Sequence, residues 1–268
     1  MADQDKLAKV LDAVRESSRY ASVAEETVRR LAESALTAAR GDVGDAVKRT
    51  KRGLHEIFGA YLPSTPRYEK MLGLIREAAD QEALRDALSR TMSSHASTKE
   101  RLPILTEFYS AIFDRLDEPP KVVADFACGM NPLAAHWMPL GEDVLYRASD
   151  IDTRLMAFLD EALTALGVAH ETSVRDLLLG PDPAPADVTF LLKTVPCIET
   201  QQREHGWDLI EAINSPVVVV SFPTKSLGQR SKGMYRTYST NFAAHAADQP
   251  WRVEELEFGN ELVYLVRK

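Results

Sequence analysis

Residues Val122–Pro132 read V-V-A-D-F-A-C-G-M-N-P. An apolar, β-branched run that ends in an acid and then a turn of small residues is the pattern of a buried parallel strand. Such a strand delivers its chain to a ligand at its carboxyl end. The sequence changes character at this point. Upstream, about a hundred residues carry helical periodicity; downstream, strand-like and helix-like segments alternate to the C-terminus.

In the upstream half, Leu7, Val10, Leu11 and Val14 recur at helical spacing. Ser22 and Glu25 form a capping box that opens a second helix, and Gly41 can close it. A third helix is expected over 42–58 and carries Lys48, Arg49, Lys51 and Arg52. Two more are expected over 67–79 and 80–92, after Pro63 and Pro66 interrupt the pattern. Ser97 with Glu100 is a further capping box, predicting one long helix from Thr98 to about Leu116. The upstream half therefore reads as an all-α unit, residues 1–94, preceding a second unit at 95–268.

Downstream, strands are expected at Val122–Ala127, Val144–Ser149, Ala169–Ser173, Val188–Leu192 and Pro216–Phe222. Helices are expected at Asn131–Met138, Thr153–Leu166 and Gln201–Asn214. Arg252–Glu257 and Leu262–Arg267 alternate in polarity around a Gly-Asn turn, as an antiparallel hairpin does. Together these predict an α/β, Rossmann-like doubly wound sheet of seven strands, mostly parallel, with an antiparallel edge.

Composition narrows the function classes. The 268 residues are 45% hydrophobic, ample for a packed core, and no apolar run reaches the roughly 20 residues of a membrane span. Two cysteines, Cys128 and Cys197, and six scattered histidines show neither a disulfide framework nor metal-ligand spacing, which fits a soluble protein of a reducing cytoplasm. The net charge of −8 is unevenly spread: residues 1–107 hold 18 Lys and Arg against 17 acids, residues 108–268 hold 14 against 23. No acid falls between Glu211 and Asp248, where Lys225, Arg230, Lys232 and Arg236 stand. Local fields steer a polyanion, so a basic surface for nucleic acid is compatible with the acidic total.

The strand ends carry the chemistry. The first turn has a single glycine, Gly129, so the Gly-rich cradle of a dinucleotide pyrophosphate is missing. Asp150, after the second strand, suits a ribose diol, and Asp176, after the third, can accept from the exocyclic amine of a nucleobase. Each acid alone also fits a helix cap. Taken together, a nucleoside site without a phosphate loop is what S-adenosylmethionine (SAM) requires. The fourth strand ends in Leu192-Lys193-Thr194-Val195-Pro196-Cys197, where a cysteine nucleophile for cytosine C5 methylation is a rival to a buried structural thiol.

Five segments are shared with a known family: H-A-S-T-K-E-R (95–101), D-F-A-C-G-M-N-P-L-A (125–134), S-D-I-D (149–152), L-L-K-T-V-P-C-I-E (191–199) and S-F-P-T-K-S-L-G-Q-R-S-K-G-M (221–234). With them the chain resembles, over nearly its whole length, the aminoglycoside-resistance 16S rRNA methyltransferases that act on N7 of guanine 1405. The resemblance implies a class I SAM-dependent methyltransferase domain behind a helical extension that docks on the 30S subunit at helix 44 of 16S rRNA, acting as a monomer. It implies that Arg101 holds the SAM carboxylate and that Ala127 and Gly129 line the methionine and ribose. Asp150 would bind the ribose hydroxyls, Ile151, Asp176 and Leu177 would frame the adenine, and Lys193 would stand beside the cofactor. Lys225, Arg230, Lys232 and Arg236, with the cluster Lys48, Arg49, Lys51 and Arg52, would meet RNA. Guanine N7 carries an in-plane lone pair, so no general base is required. A flipped-out target base needs an aromatic stacking partner, for which Phe108, Tyr109 and Tyr235 are candidates.

Overall fold

A computed structural model describes residues 2–62, 64–224 and 234–268, with side chains from residue 4 in the first stretch and from 236 in the last. The run Val122–Phe126 is strand β1, and four of its five residues are buried. It lies between β2 (Leu145–Asp150) and β4 (Val188–Leu192), parallel to both. β3 (His170–Val174) pairs with β2, and β5 (Val217–Pro223) with β4, also parallel. β7 (Glu261–Arg267) then inserts antiparallel between β5 and β6 (Arg252–Phe258). The order β3-β2-β1-β4-β5-β7-β6 is the expected seven-stranded, mostly parallel sheet. Because the chain leaves β1 in one direction and returns to β4 on its other side, the order reverses between those strands, which opens a crevice at their carboxyl ends.

The helices before the sheet are α1 (Ala2–Arg15), α2 (Glu25–Ala38), α3 (Val43–Leu54), α4 (Tyr68–Arg76) and α5 (Gln81–Met92). Three expectations about them change. Ser22 does not cap α2, whose N-cap is Ala24 with no side-chain bond; instead the Ser22 carbonyl accepts from Thr153 at the entrance to a sheet-side helix. The third helix gives way at His55 to a π turn, His55–Gly59. The single long helix after Ser97 is two, α6 (Ala96–Arg101) and α7 (Leu105–Phe113), joined by a 3-10 turn at Leu102–Ile104. Pro103 lacks the N–H an α-helix needs at that point, and the Glu100 carboxylate pairs with Lys193 rather than with the helix start. Gly41 does close α2: it sits at φ 82° and its N–H bonds back to the Leu36 carbonyl.

Within the sheet half, Asn131–Trp137 is a 3-10 rather than an α-helix. α8 (Thr153–Ala165) follows β2, α10 (His205–Ala212) stands within the helix expected at Gln201–Asn214, and α9 (Val195–Gln201) precedes it without a counterpart in the sequence expectations. α11 (Met234–Ala247) had no counterpart in the sequence reading. The apolar cores divide earlier than the expected boundary at 94/95. Val10, Val14, Ala32, Leu54 and Phe58 form one core among α1–α3. Leu72, Leu88 and Met92 of α4 and α5 instead share the core of the sheet with Phe108, Val123, Tyr146 and Phe190. Among the described residues no helix is long and apolar enough to cross a membrane.

Candidate functional site: a cofactor cleft at the strand ends

One cleft gathers Arg101, Ala127, Asp150, Ile151, Asp176, Leu177 and Lys193, seven of the eight residues expected to bind cofactor. The eighth, Gly129, shapes it from the side: its N–H donates to Asp150 Oδ2 at 2.9 Å. The cleft is closed on the outside by Arg30, Ile57 and Tyr61 from the helical half.

Two residues at the strand ends hold backbone conformations that side chains disfavour. Ala127, after β1, has φ 50°, and Lys193, after β4, has φ 59°. Each costs about 1–2 kcal/mol for a residue with a Cβ, and the fold holds both with hydrogen bonds just beyond. Cys128 N–H donates to the Ser149 carbonyl at 3.0 Å, and Lys193 N–H donates to the Ser221 carbonyl at 3.0 Å. Such strain clusters where a chain must turn sharply to expose its backbone to a ligand. Gly129 (φ 51°) is constrained twice, since a Cβ there would stand 2.8 Å from a ring carbon of His95.

Asp150 is half-buried and accepts from Gly129 N–H through one oxygen and from Asp152 N–H at 3.2 Å through the other. Burial pushes its carboxyl up to about 6, with Asp152 adding repulsion and the Gly129 bond pulling the other way. Asp176 is more deeply committed than expected. Oδ1 accepts from Leu178 N–H at 3.0 Å, a cap on the 3-10 turn Leu177–Leu179, and Oδ2 accepts from Arg30 Nε at 2.9 Å. The capping role the sequence left open is the one this carboxylate plays.

Behind Ala127 lies a buried charged network. Arg101 is 1% exposed; its Nε and one terminal nitrogen pair with the two oxygens of Glu261 at 3.1 and 2.6 Å, and the other donates to Asn131 Oδ1 at 2.9 Å. Burial works against the guanidinium charge, but Glu261 outweighs it and raises the pKa further. Burial alone would likewise raise Glu261; Arg101 and Lys193 reverse that and hold it below the usual range. Lys193 Nζ bridges Glu100 at 2.7 Å and Glu261 at 3.5 Å. Asp125 completes the floor, accepting from Asn131 at 2.8 Å and the Tyr146 hydroxyl at 2.7 Å, with its pKa pushed up to about 7 by burial.

Two of the three aromatic candidates for base stacking are corrected. Phe108 and Tyr109 are both 0% exposed, on the buried face of α7. Phe108 lies under the Arg101 guanidinium, 4.8 Å from ring centroid to carbon, and Tyr109 donates to Asn131 Oδ1 at 2.5 Å. They support the charged network and cannot receive a base. The cleft is lined instead by Phe58, Tyr61 and Tyr68; Tyr61 stacks on His95 with ring centroids 5.6 Å apart and is hydrogen-bonded to Cys197 Sγ at 2.7 Å. Burial, with Arg101 and Lys193 nearby, lowers His95 to about 4, so the ring is neutral at pH 7. Sequence reasoning gave no role to Arg30, Tyr61, His95, Asn131 or Glu261. His95 and Asn131 stand inside the shared segments 95–101 and 125–134, and Glu261 is an acid opening a mostly apolar terminal strand; Arg30 and Tyr61 carried no such signal.

Of the residues expected at RNA, Lys48, Arg49 and Arg52 are exposed along α3, with Arg49 paired to Asp45 at 2.8 Å and Arg52 to Glu56 at 3.4 Å; Lys51 is half-buried. Arg236 is exposed on α11. Lys225, Arg230, Lys232 and the Tyr235 side chain lie outside the described residues.

Residues 16–265 match the family described as ribosomal RNA methyltransferase (FmrO). The chain belongs to this family. A 16S rRNA (guanine(1405)-N(7))-methyltransferase of Micromonospora echinospora is 56% identical over 271 residues, covering 100% of this chain and 98% of its own. One of the same name from Serratia marcescens is 31% identical over 96% of this chain and 97% of its own. The crystal structure of the 16S rRNA methyltransferase RmtF in complex with S-adenosyl-L-homocysteine superposes with a TM-score of 0.86 at 30% identity, covering 98% of each chain. That of the 16S rRNA methylase RmtB superposes at 0.80 with 26% identity, again over 98% of each. The chain is accordingly an α/β SAM-dependent rRNA methyltransferase of class I fold, and its cofactor is SAM.

The residues present fit that group. The single-glycine turn leaves no pyrophosphate cradle, while Asp150 presents a carboxylate for a diol. The guanidinium of Arg101 has five N–H donors, three of them bonded to Glu261 and Asn131, so donors are left for an amino-acid carboxylate.

Proposed function

We propose that this enzyme methylates N7 of guanine 1405 in 16S rRNA, with the assembled 30S subunit as substrate, and so confers aminoglycoside resistance. The observation that carries the reading is the cleft at the reversal between β1 and β4, which brings Arg101, Asp150 and Lys193 together from three distant segments. The full-length similarity to enzymes named for that nucleotide supports the choice of atom.

SAM supplies an electrophilic methyl on a sulfonium. Asp150 orients the ribose hydroxyls, Arg101 receives the amino-acid carboxylate, and Ala127, Gly129 and Lys193 give backbone close approach at the turn. Neutral His95 adds no positive charge to the cleft. The guanine lone pair needs no base, so catalysis is placement of N7 in line with the methyl and sulfur. RNA is met by the exposed basic side chains of α3, by Arg236 and by the segment holding Lys225, Arg230 and Lys232, with helix 44 as the docking element. The enzyme works as a monomer in the cytoplasm.

The rival C5 mechanism needs a thiolate at Cys197. Burial raises that thiol, only partly offset by the Tyr61 hydroxyl bonded to it, so it is held neutral. Replacing Cys197 by Ala is expected to leave methyl transfer within a few-fold of wild type. The deciding experiment incubates 30S subunits with SAM and maps the product by N7-specific strand cleavage. A stop at 1405 is expected; methyl incorporation without cleavage there would refute the proposal.

A further inference from the structure

The two strand-end turns that bear the nucleoside-binding residues are fixed from outside the sheet. Arg30, on α2, lies 146 residues from Asp176 and 171 from Gln201 in the chain. Its Nε donates to Asp176 Oδ2 at 2.9 Å, and one terminal nitrogen stands 2.8 Å from the same oxygen. That terminal nitrogen also donates to Gln201 Oε1 at 2.8 Å, so one guanidinium ties the end of β3 to the end of α9. The pair is desolvated: the Asp176 side chain is 4% exposed and that of Arg30 22%. A second seam joins the neighbouring turn. Ala24 N–H donates to the Ile151 carbonyl at 2.8 Å, Thr153 N–H donates to the Ser22 carbonyl at 2.8 Å, and Ile151 packs on the core of α1–α3.

The sheet alone does not define these turns. Asp176 has one oxygen on its own turn and the other on the helical half, and Ile151 takes its packing from that half. We propose that Arg30 is a positioning residue for the cofactor: through Asp176 and Gln201 it sets the wall against which the adenine end is bound, so α2 is part of the SAM site. Arg30, Asp176, Leu177 and Gln201 all line the cleft, so a shift of the Arg30 guanidinium is passed directly to its lining. A partly buried guanidinium held through two nitrogens, to Asp176 and to Gln201, fixes orientation in a way a lysine cannot reproduce, and a site held by such support loosens when it is removed. The inference rests on the SAM reading of this cleft.

Arg30→Ala and Arg30→Lys are to be compared with wild type by calorimetric titration with S-adenosyl-L-homocysteine, and by steady-state methylation of 30S subunits at varied SAM. For Arg30→Ala the dissociation constant is expected to rise about tenfold or more, with Arg30→Lys recovering only part of the loss. KM for SAM should rise by the same factor, while kcat at saturating SAM falls by less than about twofold. A merely structural ion pair would lower thermal stability without this split. If Arg30→Ala does not fold, Gln201→Ala, which removes one of the two partners, is expected to weaken binding about threefold. S-adenosyl-L-homocysteine affinity within twofold of wild type in every folded variant overturns the proposal, as does a fall in kcat with KM unchanged. Asp150→Ala separates the two levels. If it weakens binding and the Arg30 variants do not, only the role of Arg30 fails; if it too is silent, the cleft is not the SAM site and both readings fall.

Discussion

Asp150 offers a test of the cofactor site that uses protons as the perturbation. Burial raises its carboxyl to about 6, so the side chain titrates inside an accessible range. The ribose hydroxyls are donors, and only the ionised carboxylate accepts from both. If the protonated form binds negligibly, the apparent dissociation constant grows by one plus the ratio of protonated to ionised Asp150. That factor is about 1.1 at pH 7, about 2 at pH 6 and about 11 at pH 5. Affinity for S-adenosyl-L-homocysteine should therefore be level from pH 8 to 7 and fall roughly tenfold by pH 5, a loss of about 1.4 kcal/mol. Asp152 and Asp125 stand close enough to titrate with it, so the control is Asp150→Asn, which keeps the shape and cannot ionise. Calorimetry across this range should find the variant weaker at pH 8 and much less dependent on pH. A wild-type affinity that stays flat to pH 5, or an Asn variant with the same slope, would refute the assignment of Asp150 to the diol.

Three further outcomes follow from the floor and the surface. Asp125 has a folded pKa near 7 against an ordinary value of 3.8, so its contribution to stability is full below the ordinary value and is lost as pH rises through 7; thermal melts of ligand-free wild type should rise from pH 8 to 6 more than those of Asp125→Asn, and parallel profiles would contradict this. Glu261→Gln leaves Arg101 and Lys193 under-compensated in a dry site, for which breaking a buried pair costs about 3–5 kcal/mol; a melting temperature lowered by about 6–15 °C is expected, and a shift under about 2 °C would show the pair to be dispensable. Replacing Lys48, Arg49, Lys51 and Arg52 together by Ala should weaken 30S binding and flatten the slope of log affinity against log salt by up to about one unit for each phosphate no longer neutralised; an unchanged slope would place RNA elsewhere.

What the sequence disclosed follows from how locally each feature is determined. The central strands were legible because burial on both faces demands near-continuous apolar runs, and Val188–Leu192 satisfies that demand without reference to anything distant. α11 was not, because M-Y-R-T-Y-S-T-N-F-A-A-H-A-A mixes weak helix formers with little apolar periodicity and is held by packing such as Phe242 on Tyr264, rings 3.9 Å apart. The two capping boxes had the right letters, yet in each the long-range partner won: the Ser22 hydroxyl serves Asp152 at the turn before α8, and the Glu100 carboxylate serves Lys193. The same competition governs the site. Asp150 could be placed from its position after a strand, but the meaning of Asp176 depended on Arg30, one of two adjacent arginines on a helix that reads as a solvated face. Between stacking and core packing the sequence does not choose for Phe108 and Tyr109, because an aromatic pair beside a site motif has the same letters whether it faces a ligand or supports an arginine. Only the packing of α7 on the sheet decides between those roles, and it turns both rings inward, where they hold Arg101 and Asn131 in place. Most candidate cofactor-binding residues were thus readable from strand ends, whereas those that hold them in position come from segments whose proximity only the folded chain creates.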